Sequence, residues 1–109
     1  MVRTTMEGMA ELLSDDQVTE ALGRLSQWTQ DGEAIVRIAE LASFSEAIQA
    51  VNRVAEIAEN DNHHPDIDIR WRTLTFRCST HSAGGITALD VTLAGEIDNV
   101  LELLGQPSE

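Results

Sequence analysis

The chain has 109 residues, of which 42% are apolar and 24% charged, and its formal net charge is −12. This length and composition are typical of a single globular domain with one modest core, so we expect one domain over residues 1–109. The 19 acidic side chains outnumber the 7 basic ones and repel phosphate backbones, and no local basic patch offsets them. A nucleic-acid partner is therefore not expected.

The sequence also carries information about compartment. No apolar run approaches the roughly 20 residues that a membrane span needs. The first 11 residues lack the apolar middle of a secretion signal. The single cysteine, Cys78, cannot form an internal disulfide and fits a reducing compartment. We therefore expect a cytoplasmic protein with no membrane partner.

The first predicted elements are a helix and a hairpin. Ser14 and Gln17 have capping-box spacing at the start of a helix over about residues 15–26, where apolar residues recur at helical spacing. The dipeptide Asp31-Gly32 follows and is a strong signal for a two-residue hairpin turn, because both turn positions favour positive φ. The paired strands are expected at residues 28–30 and 34–41.

A second helix is predicted after this hairpin. Ser43 and Glu46 repeat the capping-box spacing at its start, and the polar segment 60–62 is expected to break it. Its apolar residues share one face, as in a helix packed on a core. They are Phe44, Ala47, Ile48, Val51, Val54, Ala55 and Ala58.

A second hairpin is predicted after Pro65. Ile67, Ile69 and Trp71 alternate with charged residues, which is typical of a half-buried strand. The alternation then shifts phase, so a tight turn near Thr73 is expected to begin the partner strand. The apolar residues of that strand are Leu74, Phe76 and Cys78.

The last predicted helix begins at Thr87, which forms a capping-box pattern with Asp90. The element order is then α-β-β-α-β-β-α. Because the strands pair as hairpins, the sequence predicts an α+β fold in which a four-stranded antiparallel sheet has three helices packed on one face. The core is expected over about residues 12–104, with frayed ends at 1–10 and 105–109.

All three histidines fall within residues 63–81. His63 and His64 precede the third strand, and His81 follows the fourth. Because these strands form an antiparallel hairpin, the two positions are expected to be neighbours, which brings three imidazoles to one edge of the sheet. Imidazole titrates near neutral pH and suits proton transfer. Pro65 keeps His64 extended, so the adjacent rings should point apart and serve different roles.

Less specific interpretations of these residues are also open. Loop histidines are often simply solvated. The three histidines together with Asp66 or Asp90 could hold zinc, although adjacent histidines diverge and chelate poorly. Cys78 could be a nucleophile, but its phase with Leu74 and Phe76 favours a place in the core.

A larger pattern surrounds the histidines: Glu59, His63, His64, Pro65, Trp71, His81 and Asp90. In order, its four gaps hold three, five, nine and eight residues. This spacing resembles the signature of the pterin-4a-carbinolamine dehydratases. The segments 44–59 and 79–98 are also similar to that family, so the resemblance covers about residues 12–104.

The resemblance implies the same α+β fold and a reaction. The reaction is the dehydration of 4a-hydroxytetrahydropterin to quinonoid dihydropterin, which recycles the cofactor of aromatic amino-acid hydroxylases. It further implies a small-molecule pterin substrate, no metal and no organic cofactor, and a homodimer or homotetramer. A general acid and a general base are needed together, and imidazoles can supply both.

By the same resemblance, His63, His64 and His81 are the catalytic residues. We expect His63 and His81 to transfer the protons and His64 to hold the pterin. Glu59, one helical turn before His63, is expected to orient an imidazole. Asp90 either supports the site or serves only as a helix cap. The supporting residues are thus Glu59, Asp90 and Trp71.

Two departures from the family bear on function. Ala39 and Leu41 stand where members often carry Phe-x-Phe, which affects the core or an oligomer contact. Asn62 precedes His63 where an acidic residue is sometimes found. A non-catalytic assembly or dimerisation factor on the same fold is the main alternative function, although the presence of all three histidines argues against it. A small metal-binding module is the third.

Overall fold

The computed structural model describes residues 10–106, which form three helices and one four-stranded sheet in the predicted order. The sheet is antiparallel throughout, so the predicted α+β fold is confirmed. A 3-10 helix, His81–Ala83, lies between the last strand and the last helix. The main elements are α1 (Asp15–Arg24), β1 (Thr29–Asp31), β2 (Ala34–Glu40), α2 (Phe44–Asp61), β3 (Asp66–Arg70), β4 (Thr73–Cys78) and α3 (Ala88–Leu103).

The order of strands across the sheet places the two hairpins side by side. The order is β1-β2-β4-β3, so β2 and β4 form the centre and β3 is an edge. Asp66 at the start of β3 pairs with Arg77 near the end of β4. The residues before β3 and after β4 are therefore neighbours, as hairpin topology predicts.

The core fills the space between one face of the sheet and the helices. Alternate residues of β4 are completely buried there, and α3 contributes a matching apolar stripe. Burying an aliphatic or aromatic side chain of this size stabilises the fold by roughly 1.5–3 kcal/mol. The central members of this core are Leu74, Phe76, Cys78, Leu93, Ile97 and Leu101.

A buried polar contact joins α3 to the first hairpin. Arg37 of β2 is only 2% exposed, and one of its terminal nitrogens lies 2.6 Å from Oδ1 of Asp98. The same oxygen accepts a hydrogen bond of 2.7 Å from the indole nitrogen of Trp28. Asp98 therefore anchors α3 both to the central strand β2 and to the segment before β1.

The first hairpin turn differs from the sequence prediction, and the second agrees with it. Asp31 belongs to β1 and pairs with Ala34, so the first turn is formed by Gly32 and Glu33, with Gly32 at φ 62°. Only one of the two positions needs positive φ, which is the pattern of a turn with glycine first. In the second hairpin the turn lies at Trp71 and Arg72, and β4 begins at Thr73 as predicted; Trp71, at φ 56°, belongs to this turn and not to β3.

The helices α2 and α1 end at other residues than those predicted. Asn60 and Asp61 continue α2, and only Asn62 breaks it, in the left-handed conformation at φ 53°. Asparagine tolerates this conformation better than most residues, which makes it a suitable helix end. At the other end of α2, the Ser43 hydroxyl accepts the Glu46 N–H as expected. The helix α1 ends at Arg24, slightly earlier than predicted.

The predicted frayed ends fall mostly on residues 1–9 and 107–109, which lie outside the described residues. Within the described range, the Gln106 side chain donates to the carbonyl of Glu40 at 2.8 Å. Over residues 10–106, none of the helices combines the length and the apolar character needed to cross a membrane.

The buried contact of Asp98 gives a first testable prediction. Asp98→Ala removes the carboxylate that binds the buried guanidinium of Arg37 and the indole of Trp28. We therefore expect the free energy of unfolding, measured by equilibrium urea denaturation, to fall by about 3–5 kcal/mol. The matched control is Asp68→Ala, because Asp68 pairs with Arg70 on the solvent-exposed side of β3. Its expected cost is about 1 kcal/mol or less. Equal costs for the two variants would contradict the role assigned to Asp98.

Candidate active site

His63 occupies the junction between α2 and β3. The left-handed Asn62 turns the chain inward, and the backbone N–H of His63 donates to the carbonyl of Ala58 at 3.2 Å. The side chain of His63 is 2% exposed. Its Nε2 lies 2.7 Å from Oδ1 of Asp90, a fully buried residue in the first turn of α3.

Asp90 uses both of its oxygens. Oδ2 accepts the Thr80 hydroxyl at 2.7 Å and the Thr87 backbone N–H at 2.9 Å. The second bond completes the predicted capping box of α3. Asp90 therefore caps the helix with Oδ2 and contacts His63 with Oδ1, so its two expected roles are not exclusive.

The hydrogen bonds of Asp90 also indicate the tautomer of His63. An ionised carboxylate has no proton to give, so with Asp90 ionised both of its oxygens accept. In that form of the site, Nε2 of His63 carries the proton in the 2.7 Å contact with Oδ1. A carboxylate in this position fixes the ring and stabilises the imidazolium form.

His64 points the other way, as predicted from Pro65. Its side chain is 54% exposed, and its Nε2 lies 2.6 Å from Oε2 of Glu59. Glu59 therefore orients His64, whereas Asp90 orients His63. Because the Glu59–His64 pair faces solvent, it is expected to add little to stability and to be free to rearrange around a ligand.

His81 begins the 3-10 helix after β4 and is exposed. Its neighbour Thr80 is fully buried and contacts Asp90, which places the segment of His81 beside the His63 pair. Trp71 lies in the turn at the opposite end of the β3–β4 hairpin. The five residues of β3 that separate the two ends span about 17 Å at 3.3 Å per residue, so within one chain the structure does not bring Trp71 to the histidines.

A cleft of about 240 Å³ opens beside His63. The end of α2 forms one of its walls and the start of α3 the other. Of the three histidines, His63 lines this cleft. The lining residues are Asn60, Asp61, His63, Leu89 and Thr92.

Two carboxyl groups meet next to this cleft. The Glu96 side chain on α3 is hydrogen-bonded to that of Asp61 at the end of α2. Burial, this hydrogen bond and the charge of Asp61 raise the pKa of Glu96 from its ordinary value of 4.5 to about 7. Two neighbouring carboxylates cannot both ionise without cost, so the folded protein favours a proton on Glu96.

Cys78 lies in the core, where its phase with Leu74 and Phe76 predicts it. Burial, followed by the charges of Asp90, Asp66 and Asp98, raises the pKa of its thiol well above the usual range. The thiol stays protonated near neutral pH and is a poor nucleophile. Among residues 10–106, no three His, Cys, Asp or Glu side chains are grouped so that they could hold a metal ion.

Sequence reasoning missed Thr80 and the Asp61–Glu96 pair. A signal for Thr80 exists, because it continues the inward phase of Leu74, Phe76 and Cys78, where a polar residue needs a buried partner. The pairing of Asp61 with Glu96 depends on how α2 packs against α3, and the local pattern of either helix does not show it.

The chain is similar to known proteins over most of its length. The model of the family described as pterin 4 alpha carbinolamine dehydratase matches residues 11–100. A protein of Nocardia farcinica named "Putative pterin-4-alpha-carbinolamine dehydratase" is 57% identical over 90 residues, which cover 83% of this chain and 95% of the relative. A protein of Roseiflexus castenholzii with the same name is 50% identical over 93 residues, 85% of this chain and all of the relative.

A solved structure is also similar. The crystal structure of a transcriptional coactivator/pterin dehydratase from Brucella melitensis superposes with a TM-score of 0.79 at 30% sequence identity. The match covers 81% of this chain and 96% of that one.

The Asp61–Glu96 pair predicts a pH-dependent stability. Because the pKa of Glu96 is raised on folding from 4.5 to about 7, the folded state binds more protons than the unfolded state between these values. The contribution of this group is therefore complete below its unfolded pKa and is lost as the pH rises through about 7. Glu96→Gln keeps a hydrogen-bond donor towards Asp61 but does not titrate.

We expect the stability of the wild-type protein, measured by urea unfolding, to decline relative to Glu96→Gln as the pH rises across that interval. Glu102→Gln, an exposed change later on α3, is the matched control and should run parallel to the wild type. A difference in stability between the wild type and Glu96→Gln that stays constant with pH would contradict a raised pKa for Glu96.

Proposed function

Since this chain belongs to the pterin-4-alpha-carbinolamine dehydratase family, we propose that it dehydrates 4a-hydroxytetrahydropterin to quinonoid dihydropterin by histidine acid–base catalysis. The observation that carries the proposal is the buried contact of 2.7 Å between His63 and Asp90 at the wall of a cleft. By regenerating the dihydropterin, the protein would recycle a tetrahydrobiopterin-type cofactor.

The reaction needs one proton donor and one proton acceptor. The C4a–O bond breaks with its electron pair, and a donated proton makes the leaving hydroxyl a water molecule. N5 loses its proton, and the freed electron pair forms the C4a=N5 double bond. Atoms and charge balance without an oxidant or reductant. Two imidazoles in opposite protonation states can supply both transfers near neutral pH.

We assign the base to His63. Its ring is held by Asp90 through Nε2 and would receive the N5 proton. The imidazolium that forms is stabilised by the buried carboxylate, as in other carboxylate–histidine pairs. We assign the acid to His81, since its segment adjoins Asp90 through Thr80. His64 with Glu59, exposed at the edge of the site, would hold the pterin.

The assembly is a further part of the proposal. We propose a homodimer or homotetramer in the cytoplasm that works without a metal or an organic cofactor. Large apolar side chains stay exposed in the single chain and would be covered by such an interface. They include Ile38, Phe44, Ile69 and Trp71.

A second candidate function is a non-catalytic assembly factor. The structure from Brucella melitensis is described both as a transcriptional coactivator and as a pterin dehydratase, so the fold is associated with two kinds of role. An assembly factor has no need of a buried His63–Asp90 pair. This pair is therefore the feature that favours catalysis.

The test is the rate at which the 4a-hydroxytetrahydropterin absorbance decays with the protein present. His63→Ala and His81→Ala should each lower kcat by about 10²- to 10⁴-fold, the usual contribution of a general acid or base. His64→Ala should raise KM more than it lowers kcat. Asn99→Ala, on the exposed side of α3, is the control and should behave as the wild type. If the absorbance decays no faster with the wild-type protein than in buffer alone, the catalytic proposal is wrong and the assembly-factor role is favoured.

A further inference from the structure

Thr80 is buried at the end of β4 and does not line the cleft. Its hydroxyl nevertheless lies 2.7 Å from the carboxylate that holds His63. We propose that Thr80 is a positioning residue of the dehydration, which fixes the Asp90 carboxylate and withdraws part of its negative charge from the His63 imidazole. This inference rests on the function proposed above, and it adds a residue outside the histidine signature.

The direction of each hydrogen bond around Thr80 is determined. The Asp90 carboxylate can only accept, so the Thr80 hydroxyl donates to Oδ2. The Thr80 and Thr87 hydroxyl oxygens are 2.8 Å apart, and because the proton of Thr80 is already used, Thr87 donates to Thr80. Thr87 in turn accepts the Leu89 N–H at 3.2 Å. A chain of donors therefore points at Asp90.

The backbone of Thr80 is fixed as firmly as its side chain. Its N–H donates to the carbonyl of Gly85 at 2.8 Å, and the two residues form an isolated antiparallel bridge. This bridge closes the short loop that contains the 3-10 helix. The hydroxyl of Thr80 is thus preorganised, and it is joined by one peptide bond to His81.

The effect on His63 follows from charge. Each hydrogen bond that the Asp90 carboxylate accepts partly neutralises its negative charge. The attraction between this carboxylate and the His63 imidazolium is weakened accordingly. Loss of the Thr80 hydroxyl would leave Oδ2 with the Thr87 N–H alone, so the carboxylate would attract a proton on His63 more strongly. The base would then be protonated up to a higher pH, and kcat/KM would begin to rise at a higher pH. Asp90→Asn removes the charge and should have the opposite effect.

Other ionisable groups lie near His63 and could affect the pH profile. On α3, burial and the neighbouring Asp61 of α2 raise the pKa of Glu96 to about 7. From β4, the thiol of Cys78 stays protonated because its pKa is raised. Since Glu96 titrates in the relevant interval, the pH profiles should be measured in a Glu96→Gln background. Any inflection that persists there does not arise from Glu96.

The experiment compares Thr80→Val with Thr80→Ser in that background. Val keeps the shape of Thr but lacks the donor, and a hydrogen bond to a charged group is strong enough to move the inflection of kcat/KM upward by about one pH unit. Ser keeps the donor and should return the inflection to its original position. Thr75→Val is the matched control, on the face of β4 that points away from the helices, and should not move it.

A second readout does not require turnover. The protonation midpoint of the His63 ring, followed by NMR, should move upward in Thr80→Val and downward in Asp90→Asn. If the wild type shows no dehydration but these shifts occur, the proposed function fails, and only the effect of Thr80 on the protonation of His63 stands. If Thr80→Val lowers the rate and leaves both the inflection and the midpoint unchanged, Thr80 is only structural. Thr80→Ala replaces Thr80→Val if the latter does not fold, with the same expected directions.

Discussion

The arrangement of the candidate site depends on the hydrogen bond between His63 and Asp90. It joins the loop that leaves α2 to the first turn of α3, and both partners are almost completely removed from water. A buried polar group without its partner costs about 1–3 kcal/mol, and more when it is charged. The loop and the helix are therefore held in one relative position, and the same contact selects the Nε2–H tautomer of His63.

Two aspartates on α3 fix that helix within the fold. Asp90 binds the exit of α2 and the end of β4, whereas Asp98 binds Arg37 of β2 and Trp28. Buried ionic contacts add little net stability compared with apolar packing, but breaking one is costly, so they can specify a position. For a proton-transfer site this matters, because a small displacement of a catalytic group lowers the rate strongly.

Much of the fold and part of the site could be predicted from the sequence. Capping patterns and alternation give the element order, and hairpin topology brings His63 near the segment of His81. Pro65 accounts for the divergence of His63 and His64. Trp71 was assigned to the third strand but lies in the turn after it, because alternation does not separate the last residue of a strand from the first residue of a turn. Thr80 was missed because its inward phase indicates a buried residue but does not show that its partner is Asp90, which comes from another element.

The central claim is most directly tested by ¹⁵N NMR of the histidine rings. The account predicts that Nε2 of His63 stays protonated in its contact with Asp90 between about pH 5 and pH 8, the interval in which imidazoles usually titrate. The three rings can be assigned from the corresponding histidine variants. A neutral His63 with its proton on Nδ1 and a bare Nε2 would contradict the claim.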